Sequence, residues 1–451
     1  MSVIFTHAMI VIGVLATGTA IIWVLQQRRS PQSALAWILF IVTLPYAGVP
    51  LFFAFGVRKR GTRYEPITFT ERAAPKPVHP LDDQLRRFGV PPVTHGNRLI
   101  FDRDAAEARK TLDRLIATAQ SQIEVMLYRL DPDPYSREFV AALTAAAGRG
   151  VEVRMILDQI GTLRRPRRAL RRFTEAGGQL QMFSPFPRLA ATGRLNLRNH
   201  RKMVVVDGQR LWGGGRNVGA FYLGPPDKAE TWNDVSFTLE GPVVSRYREV
   251  FEADWAKEIR DLPRPVTAPA TGPGSTEAQL IPSGPDFDHD GLHDALVHQI
   301  HAAKRRIWIA TPYFLPTDQL LHALVTAARL GRDVRIMVPA ASNQKVADFA
   351  RGAYLRHLEE VGCTILRYTP RMIHAKAMVI DGVAIVGSAN FDIRSMLLNF
   401  ETALALYDAK SVDAVSDWFE AQAPACETGT RPARLPRRLA EATFRLGAPM
   451  L

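Results

Sequence analysis

A chain of 451 residues, 47% hydrophobic and 22% charged, can hold two or three domains with buried cores and is not the composition of a disordered protein. Its formal charge of +13 points to an anionic partner, whether nucleic acid, an anionic membrane or an anionic small substrate, although an arginine-rich composition alone would give the same sum. Only Cys363 and Cys426 are present, far apart in sequence, which argues against a disulfide framework and a structural zinc site and fits a reducing compartment.

Two apolar segments open the chain. Residues 3–25 carry no formal charge, and residues 34–57 are apolar but interrupted by Pro45 and Pro50. Each reaches the roughly 20 residues that a helix needs to cross a bilayer. No Lys or Arg precedes the first run, so a cleaved signal is the weaker reading, and Trp37 and Tyr46 suit an interface. Arg28 and Arg29 lie between the segments, and Arg58, Lys59, Arg60 and Arg63 follow the second. The larger cluster favours a cytoplasmic position for everything downstream, against the weaker pull of Arg28 and Arg29, with the N-terminus on that side too in a multi-pass protein if both segments span. A re-entrant hairpin is the alternative.

The polar, proline-bearing stretch PITFTERAAPKPVHP reads as a linker, and LPRPVTAPATGPGST as a second one. The expected organisation is 1–60 for two membrane segments, 61–97 linker, 98–262 first domain, 263–280 linker and 281–451 second domain with a basic tail. The two domains look like repeats. IEVMLYRLDPD echoes IWIATPYFLPTD, and AALTAAAGRGVEVRMILD echoes HALVTAARLGRDVRIMVP. Alternating strand and helix patterns predict two duplicated α/β domains with mixed sheets flanked by helices.

The chemistry recurs at matching places. NHRKMVVVDGQRLWGGGRN carries His200, Lys202, Asp207, Gly214, Gly215 and Asn217; IHAKAMVIDGVAIVGSAN carries His374, Lys376, Asp381, Gly387, Ser388 and Asn390. In each, His and Lys are two apart on an apolar strand and share a face. An Asp-Gly turn and a second strand then lead to a glycine-rich corner with its Asn. Lysine offers a fixed cation to the non-bridging oxygens of a phosphodiester, and Asn and Ser offer neutral donors. Histidine can attack phosphorus or shuttle a proton. A lone motif of this kind arises by chance; two in register with a repeat do not.

With its paired HxKxxxxD motifs the chain resembles the phospholipase D superfamily, and within it the bacterial cardiolipin synthases. The likeness to that branch extends over nearly the whole chain, through the two apolar segments, SALAWILFIVTLPYAG, TPYFLP and GSANFDIRS. The resemblance implies a two-domain α/β fold with one active site between the domains and no required metal or cofactor. It also implies that one histidine becomes a covalent phosphatidyl carrier while the other serves as acid and then base. A carboxylate after each motif, Asp234 and Glu401, would orient that motif's histidine. Asp207 and Asp381 then suit the hairpin turns better than the reaction. The stretch between Asp381 and Gly387 is one residue shorter than the family pattern, which would shift the Asn390 corner. Gly215 stands where the other half has Ser388, an asymmetry that leans toward His200 as nucleophile and His374 as acid without deciding it.

The implied substrates are phosphatidylglycerol and anionic membrane lipid, with no nucleic acid. Hydrolysis, exchange with another alcohol, and a membrane-bound nuclease are the rivals. Three further stretches carry less. DFDHDGLHD begins like a calcium loop but has Val297 where a bidentate Glu is required. RRPRRALRRF could face lipid headgroups or only solvent, and the C-terminal basic stretch could lie on a membrane or pack on the domain.

Overall fold

The computed structural model describes residues 2–27, 31–56, 66–70, 76–184, 197–268, 272–287 and 289–446. The basic residues that bear on topology, Arg28, Arg29, Arg58, Lys59, Arg60 and Arg63, lie outside the described residues. Two compact units are distinguished: Met1–Glu65 with Ser184–Leu197, and Pro66–Phe183 with Arg198–Pro449.

In the first unit, the helix Ser2–Gln26 contains a 23-residue stretch, Ile4–Gln26, with a mean hydropathy of 2.4, long and apolar enough to cross a bilayer. The second apolar segment departs from the expected single span. It is broken into Pro31–Thr43 and Pro45–Leu51, followed by a wide turn at Phe52–Gly56. Pro45 cannot continue the hydrogen-bond ladder, and Leu44 takes a non-helical conformation. Gly48 lets the chain fold back, because a Cβ there would lie 2.8 Å from Ile41 Cα. The longer piece, 13 residues, rises about 20 Å, short of the roughly 30 Å hydrocarbon core. Ala20 and Val24 of the first helix share a small core with Ile41 and Phe52.

The second unit is built twice. The first half contributes β1 (Thr94–Phe101), β2 (Gln122–Leu127), β3 (Glu152–Asp158), β4 (Gln179–Phe183), β5 (Met203–Val206), β6 (Arg210–Gly214) and β7 (Ser236–Glu240). The second half contributes β8 (Thr276–Ser283), β9 (Arg306–Ala310), β10 (Phe314–Leu315), β11 (Asp333–Pro339), β12 (Thr364–Tyr368), β13 (Ala377–Ile380), β14 (Val383–Gly387), β15 (Phe391–Asp392), β16 (Glu401–Leu406) and β17 (Cys426–Thr428). β1 and β8 pair at the centre of one continuous sheet. Outward from that pair the halves run 1-7-6-5-2-3-4 and 8-16-14-13-9-11-12, the same order twice, with β17 added at one edge and β10 pairing β15 separately. Parallel strands β2 and β3 are joined by the helix Pro134–Gly148, which Asp133 caps and whose Phe139, Val140, Leu143 and Ala146 are buried. The counterpart between β9 and β11 is Asp318–Arg329, capped by Thr317.

The expected 61–97 linker proves partly structural. Pro80–Arg87 is a helix, and its Leu81 and Leu85, with Val90, enter the core of the second half. Buried Asp82 pairs with Arg86 at 2.7 Å and accepts from Gln279 at 3.1 Å. Two turns of helix give too few repeats to reveal a period beside so many prolines. The calcium-like stretch also finds a structural use, because buried Asp286 binds Arg201 at 2.9 Å and joins it, with Asp254 at 2.7 Å, into a network spanning the halves. The C-terminal helix Leu435–Leu446 packs on Lys345–Glu360, with Glu441 fully buried against Arg356 and Arg437 and Phe444 5.5 Å from Phe349. In RRPRRALRRF, the helix Arg167–Glu175 buries Leu170 and Phe173 and exposes most of its arginines.

Candidate active site

Both motif histidines are buried at the entrance to the β5 and β13 hairpins, 8% and 4% exposed, with Lys202 and Lys376 deeper still at 1% and 2%. His200 Nδ1 lies 2.9 Å from Glu401 Oε2, and His374 Nδ1 lies 2.7 Å from Asp234 Oδ2. The pairing is therefore crossed, which corrects the expectation that each carboxylate orients the histidine of its own motif. The backbone shows why. Asn199 bridges Phe400 and Asn233 bridges Ile373, both in parallel. His200 N–H donates to Phe400 O at 2.9 Å, and His374 N–H donates to Asn233 O at 2.6 Å. Each histidine is thus clamped to the other half's segment one residue before that half's carboxylate.

An Nδ1–H donated to a carboxylate fixes the tautomer and leaves Nε2 with the lone pair. Each lysine donates to the carbonyl of its own histidine, Lys202 at 2.6 Å, and Lys376 Nζ also lies 3.1 Å from His374 Nε2. Around the rings, Tyr128 packs edge-on to His200 at 4.8 Å, while Trp232 and Tyr222 lie 5.1 and 5.5 Å from His374. These aromatics leave no pattern in the sequence that marks them.

Glu401 is held at every oxygen. Ser388 Oγ donates to Oε2 at 2.5 Å, and Ser395 Oγ donates to Oε1 at 2.8 Å. The Ser388 hydroxyl proton is thereby committed, so this residue orients Glu401 instead of meeting phosphate as expected. Gly215 answers the asymmetry from the other side, since a Cβ there would stand 2.2 Å from Asp234 Oδ1. One half combines the longer carboxylate with serine, the other the shorter carboxylate with glycine. Gly215→Ser, which would make the corners alike, is expected to displace Asp234 and lower turnover at the site by roughly 10²-fold. Initial rates beside an unchanged thermal midpoint would check it.

The remaining expected residues divide. Asn217 accepts from Arg129 N–H at 3.1 Å and is buried beside the site; Asn390 Oδ1 is buried and has no hydrogen-bond partner among the described residues. Asp207 and Asp381 are not brought to the histidines. They sit just past the far ends of four-residue strands, seven residues beyond each histidine and roughly 20 Å away at the usual rise per residue. There Asp207 receives the N–H groups of Gln120, Ser121 and Gln122, and Asp381 those of Lys304, Arg305 and Arg306. Both take left-handed backbone, φ 52° and 49°. Their grouping with the reacting residues is thereby corrected. The missing residue before Gly387 does not move the Asn390 corner either. Val206 pairs Arg210 across a three-residue turn and Ile380 pairs Val383 across two, while Met203–Gly213 and Ala377–Val386 keep equivalent register.

Two buried arginines also escaped the sequence reading. Arg201 donates to Glu401 O at 3.4 Å, and Arg216 donates to Asp234 O at 2.5 Å, so each supports the backbone of one orienting carboxylate.

Burial lowers the pKa of His200 to about 4, although Glu401 opposes it, and lowers that of His374 to about 3, with Lys376 adding to the effect and Asp234 opposing it. Burial likewise brings Lys202 down to about 7 and Lys376 to about 8. Lys202 senses Glu401, Lys376 and Asp234, so groups from both halves share one field. Both rings are neutral at pH 7 in the resting enzyme. Between pH 6.5 and 4 the unfolded histidines bind protons that the folded ones refuse, so stability rises with pH across that window. The thermal midpoint is expected to fall as pH drops from 7 to 5, and to fall less in a His200→Asn/His374→Asn double variant.

Two neutral imidazoles, each tautomerically fixed by a carboxylate and flanked by a lysine, define a two-histidine enzyme of phosphodiester transfer. The family model described as cardiolipin synthase, PLD-like domain, matches residues 112–255 and 296–423, and that described as phospholipase D-nuclease N-terminal matches 14–56. Cardiolipin synthase 1 of Bacillus cereus is 31% identical over 87% of this chain and 83% of its own, and the major cardiolipin synthase of Bacillus subtilis is 31% identical over 96% of each. The chain belongs to the cardiolipin synthase family of the phospholipase D superfamily, and is a phosphatidyltransferase. A phosphatidylserine synthase from Haemophilus influenzae shares the fold, with a TM-score of 0.62 at 14% identity over 83% of this chain and 100% of that one.

Proposed function

We propose that the chain joins two phosphatidylglycerol molecules at a membrane, releasing glycerol, through a phosphatidyl-histidine intermediate. The crossed pairs His200–Glu401 and His374–Asp234 carry this reading, because they supply one nucleophile and one proton carrier from two halves of a single site. His200 Nε2 forms the N–P bond as the P–O bond to glycerol breaks, and His374 gives its proton to the departing oxygen. His374 is neutral at rest, so the proton enters with the anionic substrate, whose charge favours the imidazolium. The primary hydroxyl of the second phosphatidylglycerol then loses its proton to His374, and its oxygen displaces the histidine from phosphorus. Lys202, Lys376, Asn217 and Asn390 hold the non-bridging oxygens.

One phosphodiester replaces another, so the exchange is close to balanced and calls for no nucleotide. Ser2–Gln26 anchors the chain in a bacterial inner membrane with the second unit on the cytoplasmic face, where anionic lipid is presented directly and water is kept from the intermediate. Mass spectrometry of the full chain in phosphatidylglycerol vesicles tests the reading. Cardiolipin and glycerol in equal amounts are expected; phosphatidic acid alone would make the chain a hydrolase instead.

A further inference from the structure

The connection between β3 and β4, residues 159–178, holds six arginines and a single acidic residue, Glu175. The matching connection in the second half, residues 340–363 between β11 and β12, is balanced, with Lys345, Arg351 and Arg356 against Asp348, Glu359 and Glu360. There Arg351 pairs with Asp348 at 2.8 Å, and Arg356 pairs with Glu441. An arginine-rich composition would load both connections alike, so the excess belongs to this place in the fold.

Most of these arginines face water. Arg171 pairs with Glu175 at 3.4 Å, and Arg165 donates to Thr162 O at 3.0 Å. The exposed side chains of Arg164, Arg167, Arg168 and Arg172 meet no carboxylate among the described residues. Leu170 and Phe173 hold the helix on the core, which fixes the orientation of its charged face.

The same connection borders the site. A Cβ on Gly161 would stand 2.7 Å from the Tyr128 ring, and that ring packs edge-on to His200. Asp158, from which the connection departs, accepts from Asn199 N–H at 2.9 Å, one residue before His200. Two residues past Gly161, Leu163 is 47% exposed. The other histidine has a like neighbour, because Phe221, 38% exposed, stacks at 5.2 Å on the Trp232 ring beside His374. Exposed apolar side chains thus flank both histidines, and the cationic stretch continues from one of them. Apolar tips followed by unpaired cations suit an anionic lipid surface, which takes up the first and attracts the second. A nucleic-acid backbone would match the charge but offers nothing to Leu163 and Phe221.

We infer that Leu163, Phe221, Arg164, Arg167, Arg168 and Arg172 form a docking face that seats the mouth of the site on an anionic bilayer. This deepens the proposed function and rests on its lipid substrate. Only the docked fraction of the enzyme meets phosphatidylglycerol in the leaflet, so that fraction sets the apparent affinity.

Surface kinetics of the full chain test the docking face. Vesicles carry phosphatidylglycerol diluted in phosphatidylcholine, and cardiolipin formation is followed against its mole fraction. The variant Arg164→Gln/Arg167→Gln/Arg168→Gln/Arg172→Gln is expected to raise KM about tenfold with kcat within about twofold of the parent. The corresponding lysine variant should stay near the parent, because the leaflet reads charge. Cholesterol sulfate, an anionic amphiphile without phosphorus, should lower the parent's KM and leave that of the glutamine variant unchanged. Leu163→Asp should also raise KM. Dihexanoyl phosphatidylglycerol, supplied as dissolved single molecules to the chain in phosphatidylcholine vesicles, should be turned over alike by parent and glutamine variant. An unchanged KM on vesicles would overturn the docking face. So would an equal rise with the dissolved substrate, which would put the arginines in the substrate pocket. Duplex DNA bound by the parent and not by the glutamine variant, with vesicle kinetics unchanged, would assign them to nucleic acid. No cardiolipin from the parent on either substrate would instead overturn the function beneath.

Discussion

Replacing His200 or His374 by asparagine is expected to lower phosphatidyl transfer by about 10⁴-fold or more, as loss of a nucleophile or its proton partner does in other covalent hydrolases and transferases. The two losses differ in kind, and a donor whose leaving group needs no proton separates them. With a phosphatidyl nitrophenol, His374→Asn should release one nitrophenolate per enzyme and then stall, because His200 can still attack but no base remains to activate the acceptor. His200→Asn should show no burst. The reverse result would exchange the two roles while leaving the shared site intact.

The second large effect follows from the crossing. Glu401→Gln is expected to cost about 10³- to 10⁴-fold, because an amide cannot impose the tautomer that a carboxylate imposes on His200 Nδ1. With the same activated donor, Glu401→Gln should abolish the burst, while Asp234→Asn should keep it and slow later turnovers. If carboxylates served the histidines of their own motifs, these outcomes would change places. Glutamine at 401 keeps the side chain's shape but puts an NH2 where Ser388 or Ser395 donates to an oxygen, so one of these hydrogen bonds is lost and a fall of about 1 kcal/mol in stability accompanies the far larger loss of activity.

The duplication and its reacting residues were legible because each motif is contiguous. His200 and Lys202 share a strand with their spacing in view, and an Asp-Gly turn marks the hairpin. The pairing of Glu401 with His200 was not legible, since it depends on a parallel bridge between Asn199 and Phe400, two hundred residues apart. The Asn390 corner was expected to shift with the shorter stretch, but the turn absorbed the difference where side chains do not pack. The helix Pro80–Arg87 was hidden by its brevity, and the break at Pro45 by an apolar composition that runs through it. Arg201 and Arg216 read as ordinary basic residues of a cationic chain, and only their complete burial shows that they hold the carboxylate backbones in place.

The crossing has a consequence for ancestry and inheritance. Were the halves separate polypeptides, neither could build a working histidine alone, since each would carry its own imidazole and its partner's carboxylate. A two-fold pair of such chains would hold two identical composite stations, the arrangement expected of a homodimeric forebear before gene fusion. Fusion would free the stations to diverge, and in this chain they do differ, Gly215 standing with Asp234 and Ser388 with Glu401. Halves expressed from separate genes should accordingly be silent singly and active together, and a Glu401 lesion in one should be rescued only by supplying an intact second half, never by an extra copy of the half that bears His200.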